Sequence, residues 1–139
     1  MIAPEYADMM NPSHSIQVDA RARLLHLRLS GFFDAPAVNR FIEDRERAYA
    51  ELGEAGDHVT LCDVSECKIQ SQESFEQFRG LLMERSRWGR RMAFVVPKGS
   101  LAGLQVSRLV AQRPDLRVFN AMPEAIAWLR NERPEQAAA

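Results

Sequence analysis

The chain has 139 residues, of which 46% are apolar and 27% charged, with a formal net charge of −1. That length suits one domain able to bury roughly two thirds of its unfolded surface without disulfide or metal staples, and the balance excludes wholesale disorder. The near-zero charge gives no global field toward nucleic acid or anionic membrane, and no stretch approaches the ~18 consecutive apolar residues of a membrane helix.

The first segment, Met1 to Ser13, carries Glu5 and Asp8, no Lys or Arg and no apolar run. Neither a signal peptide nor a transit peptide is expected there. The two cysteines, Cys62 and Cys67, are too few for the framework of a small secreted domain, which points to a reducing, cytoplasmic setting. Residues 14–19 alternate, with Ile16 and Val18 on one face. Asp19-Ala20-Arg21-Ala22 reads as a turn, and residues 23–29 alternate again through Leu25, Leu27 and Leu29. A period of two with a short connection predicts an antiparallel hairpin ending at Gly31.

Asp34 is placed to cap a helix with Pro36 in its first turn. Val38, Phe41, Ile42, Tyr49 and Leu52 form its apolar stripe, and Gly53 and Gly56 mark its stop. Val59–Val64 is a β-rich run, followed by a polar loop. Ser71 caps a second helix, buried through Phe75, Phe78, Leu81 and Leu82 and closed by Trp88-Gly89. Met92–Val96 is continuously apolar, as in a strand covered on both faces. After Pro97, Ser100 caps a third helix with Leu101, Leu104, Val106, Leu109 and Val110 as its predicted buried side. Leu116–Phe119 is a short strand, and Pro123 opens a last helix containing Ile126, Trp128 and Leu129. The order β-β-α-β-α-β-α-β-α predicts an α/β fold: a small mixed sheet, antiparallel at its start and parallel thereafter, joined by right-handed crossovers. One domain is expected over residues 14–130, with flexible tails at 1–13 and 131–139.

Leu61-Cys62-Asp63-Val64-Ser65 is similar to the hydrophobic-Asp-hydrophobic-Ser element of STAS domains, the anti-sigma-factor-antagonist type. The strand Arg91–Val96, the pair Val118-Phe119 and the helix Glu124–Leu129 resemble small bacterial SpoIIAA-like proteins. The resemblance covers roughly residues 14–130 and implies a SpoIIAA-like fold: a cytosolic scaffold that binds a protein or a small ligand and has no catalytic centre. Classical antagonists carry an Asp-Ser-Ser-Gly string with a phosphorylated serine at a helix start. Here that stretch reads Glu66-Cys67-Lys68-Ile69-Gln70-Ser71. The string is missing, and only Ser71, displaced along the chain, stands near its place.

Candidate functional residues fall into two sets. Ser65, Cys67, Lys68 and Ser71 form a partner-binding or switch loop. The helix start Lys98-Gly99-Ser100, with Arg108 two turns along, follows a buried parallel strand, where open α/β sheets usually bind ligands. Its free N–H groups and Lys98 suit a phosphate or carboxylate, although a plain turn with a serine cap explains the same residues. Lys68 beside Cys67 raises a reactive thiol as an idea, against which stands an ordinary core and loop pair. His14, His26 and His58 are scattered without ligand spacing, so no metal and no cofactor are expected.

Arg79, Arg85, Arg87, Arg90 and Arg91 make a basic segment around Trp88, while Glu43 to Asp57 carries six acids and two bases. The pair offers self-association as a homodimer, or simply solvated helix ends; binding of nucleic acid is disfavoured. Trp88, Trp128, Phe32 and Phe33 either close the core or line a lipophilic pocket. The expected function is therefore a non-enzymatic regulatory or protein-binding module. The alternative is a binder or sensor of a small acidic or lipophilic ligand at the helix start after the buried strand.

Overall fold

A computed structural model describes residues 11–53, 56–111 and 113–131. The outermost parts of the two expected tails, 1–10 and 132–139, lie outside them.

Strands β1 (Ser13–Asp19) and β2 (Leu24–Gly31) form the antiparallel hairpin, and β3 (Val59–Cys67), β4 (Met92–Val95) and β5 (Leu116–Phe119) follow in parallel. The order across the sheet is the order along the chain. The helices are α1 (Ala35–Leu52), α2 (Gln72–Leu82), the single turn α3 (Arg85–Trp88), α4 (Leu101–Val110) and α5 (Met122–Arg130). Asp34, Ser71 and Ser100 each cap their helix, accepting from Ala37, Ser74 and Gly103 N–H respectively.

Alternation along the strands sorts side chains into two layers. Leu27, Cys62 and Phe94 meet Val38 and Phe41 of α1, Phe78 and Leu82 of α2, Trp88 and Val106 on one face. Leu61, Ala93 and Val95 meet Ala125 and Leu129 of α5 on the other. The mixed α/β sheet expected from the pattern is the fold observed.

Three local expectations are corrected. β3 runs on to Cys67, so Ser65 and Cys67 stand on a strand rather than in a loop. Its extension contains a register shift against β2: Arg28 pairs with Asp63, but Ser30 with Glu66. The Asp63 carboxylate accepts from Ser65 N–H at 3.0 Å, partnering an amide where the ladder slips. The helix after Ser71 is not continuous to Trp88; it stops at Leu82, and α3 forms a separate turn.

The third correction is the phase of α4. Leu101 and Leu104 are 63% and 57% exposed, and Gly103 is buried instead. A Cβ on Gly103 would meet Ser100 Oγ at 2.8 Å and Val96 Cγ2 at 3.2 Å. The missing side chain thus lets the helix seat on its Gly103 side against the end of β4.

Candidate functional site

Loop residues 68–71 and the first turns of α2 and α4 share the carboxyl edge of the parallel strands, where such sheets place their sites. Two reciprocal hydrogen bonds tie this edge together. Gln70 N–H donates to Gln105 Oε1 at 2.8 Å, and Gln105 Nε2 donates to Gln70 O at 3.1 Å. The Gln70 side chain also turns back, its Nε2 donating to Gly31 O and Lys68 O while its Oε1 accepts from Phe33 N–H. The loop is therefore bound to β2, to the α1 entry and to α4 at once.

The first candidate set is brought together only in part: Cys67 and Lys68 line one apolar cavity, and Ser65 and Ser71 do not. Ser65 is half-buried on β3, and Ser71 Oγ is committed to capping α2. Cys67 donates its thiol to Leu29 O, and burial pushes its pKa up to about 12. Cys62 is buried in the core, and the same cause raises its thiol pKa well above the ordinary value. Both sulfurs are protonated thiols at neutral pH, so the reactive-thiol idea has no electrostatic support. Lys68 remains half-exposed at the loop start.

The second set does not converge. Ser100 Oγ accepts from Gly103 N–H at 2.9 Å, so its hydroxyl acts as the helix cap. Lys98 and Gly99 form an exposed turn, and Arg108 sits about 12 Å along the helix axis from Ser100 at 1.5 Å per residue. None of these four lines the apolar cavity that lies beside α4.

That cavity lies on the inner side of α4, between α2, α4 and strands β2–β4. It measures about 100 Å³ and is walled almost wholly by apolar groups, among them Leu27, Cys62, Phe94, Phe78 and Val106. Of the aromatics that the sequence offered for a lipophilic pocket, Phe33 and Trp88 line it and Phe32 and Trp128 do not. Sequence reasoning missed the rest of the wall because most of those residues read singly as core. It also missed Arg45, which is 7% exposed within the inner stripe of α1 and forms part of the cavity wall. Arg45 Nη2 contacts Glu84 Oε1 at 3.1 Å and Glu46 Oε2 at 3.6 Å, yet its buried Nε–H has no partner among the described residues.

The basic segment meets the acidic one within the chain. Arg87 pairs with Glu46 at 2.7 Å, Arg45 with Glu84, and Arg90 Nε donates to Asp57 O. Arg85 pairs with Asp115, and Arg91 Nη1 donates to Trp128 O. Part of the opposite charge in the two segments is thereby paired inside one molecule. Among the described residues no cluster of three or more His, Cys, Asp or Glu is placed to hold a metal, and no helix is long and apolar enough to cross a membrane.

His58 is buried between these elements, its Nε2 3.0 Å from Arg87 O and its ring edge-on to Tyr49. Burial holds its pKa below the ordinary 6.5. The native state then binds fewer protons than the unfolded chain in this range, so stability is present above pH 6.5 and falls as pH drops through the depressed value. Thermal melts from pH 7.5 to 5 are expected to show a falling midpoint, and His58→Phe is expected to flatten the slope. An unchanged slope in that variant would remove His58 as its source.

No family model matches the chain, and no curated protein matches it. Solved structures do match. One is an uncharacterized protein of the DUF3478 family with a SpoIIAA-like fold from Shewanella loihica PV-4. Its TM-score is 0.66 at 18% identity, over 86% of this chain and 95% of that one. Another is an anti-sigma factor antagonist from Mycobacterium paratuberculosis, with a TM-score of 0.61 at 12% identity, over 94% of this chain and 100% of that one.

Proposed function

From the premise that the chain has the SpoIIAA-like (STAS) fold, we propose that it is a non-enzymatic regulatory module of the cytoplasm that docks a protein partner at its carboxyl edge. The observation that carries this reading is where apolar surface is left uncovered. Among the described residues the exposed large apolar side chains are Ile69, Met83, Leu101 and Leu104. Three of the four belong to this one edge. Ile69 adjoins Gln70, which is bonded to Gln105, and Leu101 lies one turn before Gln105 on the same helix.

Burying leucine and isoleucine side chains in a partner supplies the apolar centre that a specific interface needs, while charges at the rim steer encounter. The stretch Pro97–Pro114 contains Lys98, Arg108 and Arg113 and no acid, so the partner surface that fits is apolar with acidic flanks. The similarity to an anti-sigma factor antagonist is consistent with such a role.

The test is site-specific photo-crosslinking in the native host, with the reactive residue at Leu104 and, as control, at Arg21 in the β1–β2 turn. A discrete adduct from position 104 alone is expected. The purified pair is then expected to lose at least tenfold in affinity with Leu101→Ser/Leu104→Ser, each buried leucine contributing about 1.5–3 kcal/mol. No adduct at 104, the same adduct at 21, or unchanged affinity in the double variant would overturn the reading.

A further inference from the structure

The cavity beneath that edge carries a second reading, independent of what docks outside it. Its wall is apolar except for a few polar groups, and most of these are already satisfied. Thr60 Oγ1 donates to Trp88 O, the Cys67 thiol donates to Leu29 O, Gln70 and Gln105 are bonded to each other, Arg87 pairs with Glu46, and Lys68 is half-exposed to solvent. Arg45 differs. More than nine-tenths buried, it is the cavity-lining residue whose buried polar atom, Nε, lacks a partner among the described residues.

An unmade bond on a buried charged donor is costly, so the geometry calls for an acceptor. The charge of Arg45 is already balanced by Glu84 and Glu46, and a further anion would have to be desolvated into an apolar chamber. A neutral acceptor meets both conditions. The volume, about 100 Å³, is somewhat below that of an engineered apolar cavity of roughly 150 Å³ that takes up benzene.

We propose that the cavity between strands β2–β4 and helices α2 and α4 is a binding site for a small neutral apolar molecule bearing one hydrogen-bond acceptor, held by the Arg45 Nε–H. The reciprocal Gln70–Gln105 pair forms part of the cavity wall. This places a ligand on the inner side of α4 rather than at the Lys98–Ser100 turn.

Cyclohexanone is the probe, with benzene as the hydrocarbon control and hexanoate as the anionic one. Amide resonances are followed by two-dimensional NMR during titration of each compound into the full chain. Cyclohexanone is expected to give saturable shifts at Cys62 and Phe94, with a dissociation constant of about 1 mM for so small a ligand, and to bind more tightly than benzene or hexanoate. Val106→Phe, which fills the chamber, is expected to weaken binding more than tenfold. Ala102→Leu fills it from a neighbouring turn and serves if the first variant does not fold. Arg45→Met is expected to keep benzene binding while the preference for cyclohexanone falls at least fivefold. Absence of saturable shifts, tighter binding of hexanoate, binding untouched by filling, or an unchanged preference in Arg45→Met would each overturn the proposal. Because every readout lies inside the chamber, such a failure leaves the crosslinking result at Leu104 standing.

Discussion

Trp88→Ala is expected to lower the unfolding free energy by about 3–5 kcal/mol, the usual cost of deleting a buried aromatic. The indole is among the buried core side chains, packs in the cluster that joins α1 and α2 to the sheet, and forms part of the cavity wall. Arg85 and Arg113 lie over its ring at 5.7 and 6.0 Å, so the substitution also removes a surface on which two guanidinium groups rest. Its Nε1–H donates to Leu82 O at 3.0 Å, but that carbonyl also accepts from Arg113 Nη2, so it is not orphaned by the change. The loss is therefore one of packing. Urea denaturation followed by circular dichroism measures it, and against a typical domain stability of 5–15 kcal/mol the variant is left marginal. Trp88→Phe keeps the ring and is expected to lose less than half as much. A change below about 1 kcal/mol for the alanine variant would show that the site collapses around the void.

Gly89→Ala, one residue on, is expected to be as damaging for a different reason. Gly89 has φ +83, and an added Cβ would fall 2.0 Å from the His58 carbonyl oxygen and 2.7 Å from its carbon. That approach is backbone on backbone, so no side-chain rotation relieves it. It exists because Arg90 N–H donates to the same His58 oxygen at 2.8 Å, bringing the chain after α3 to the start of β3. Conformational strain alone costs about 1–3 kcal/mol, and the forced separation adds the loss of that bond and of the His58 packing. About 3 kcal/mol or more is expected, read by the same denaturation assay. Gly80→Ala is the control: no atom lies within 4 Å of the Cβ it would gain, and the helix interior favours alanine, so a gain of a few tenths to about 1 kcal/mol is expected there. Equal effects at the two glycines would refute the steric account.

The parts of this fold that were legible in the sequence are those written as rhythm. Leu25, Leu27 and Leu29 alternate because one face of β2 is buried, and Met92–Val96 is apolar throughout because β4 is covered on both faces. Helix starts at Asp34, Ser71 and Ser100 were legible because capping is a local act of one side chain. The phase of α4 was not. With Leu101, Ala102, Leu104, Val106, Leu109 and Val110 spread around the helix, several faces are apolar, and the choice falls to the one residue without a side chain, Gly103.

The length of β3 was obscured by polar residues at Ser65 and Glu66, which continue the strand beyond the register shift beside Asp63. The site was harder still. Arg45 occupies a buried helical position where a cation is rare, and the chamber is a property of how some two dozen residues, most of them ordinary core side chains, fail to meet. Nothing in a linear sequence encodes a gap between elements far apart in it.

The coincidence of sheet order with chain order has a kinetic consequence. Each new parallel strand is laid beside the one just completed, so no strand waits for a distant later segment before finding its neighbour. The loops that must close are single crossovers, and the entropic toll on assembly stays small compared with sheets whose central strand arrives last. Assembly can advance from the β1–β2 hairpin outward while the chain emerges from the ribosome, and α5, formed last, then covers the hitherto bare face of β3 to β5.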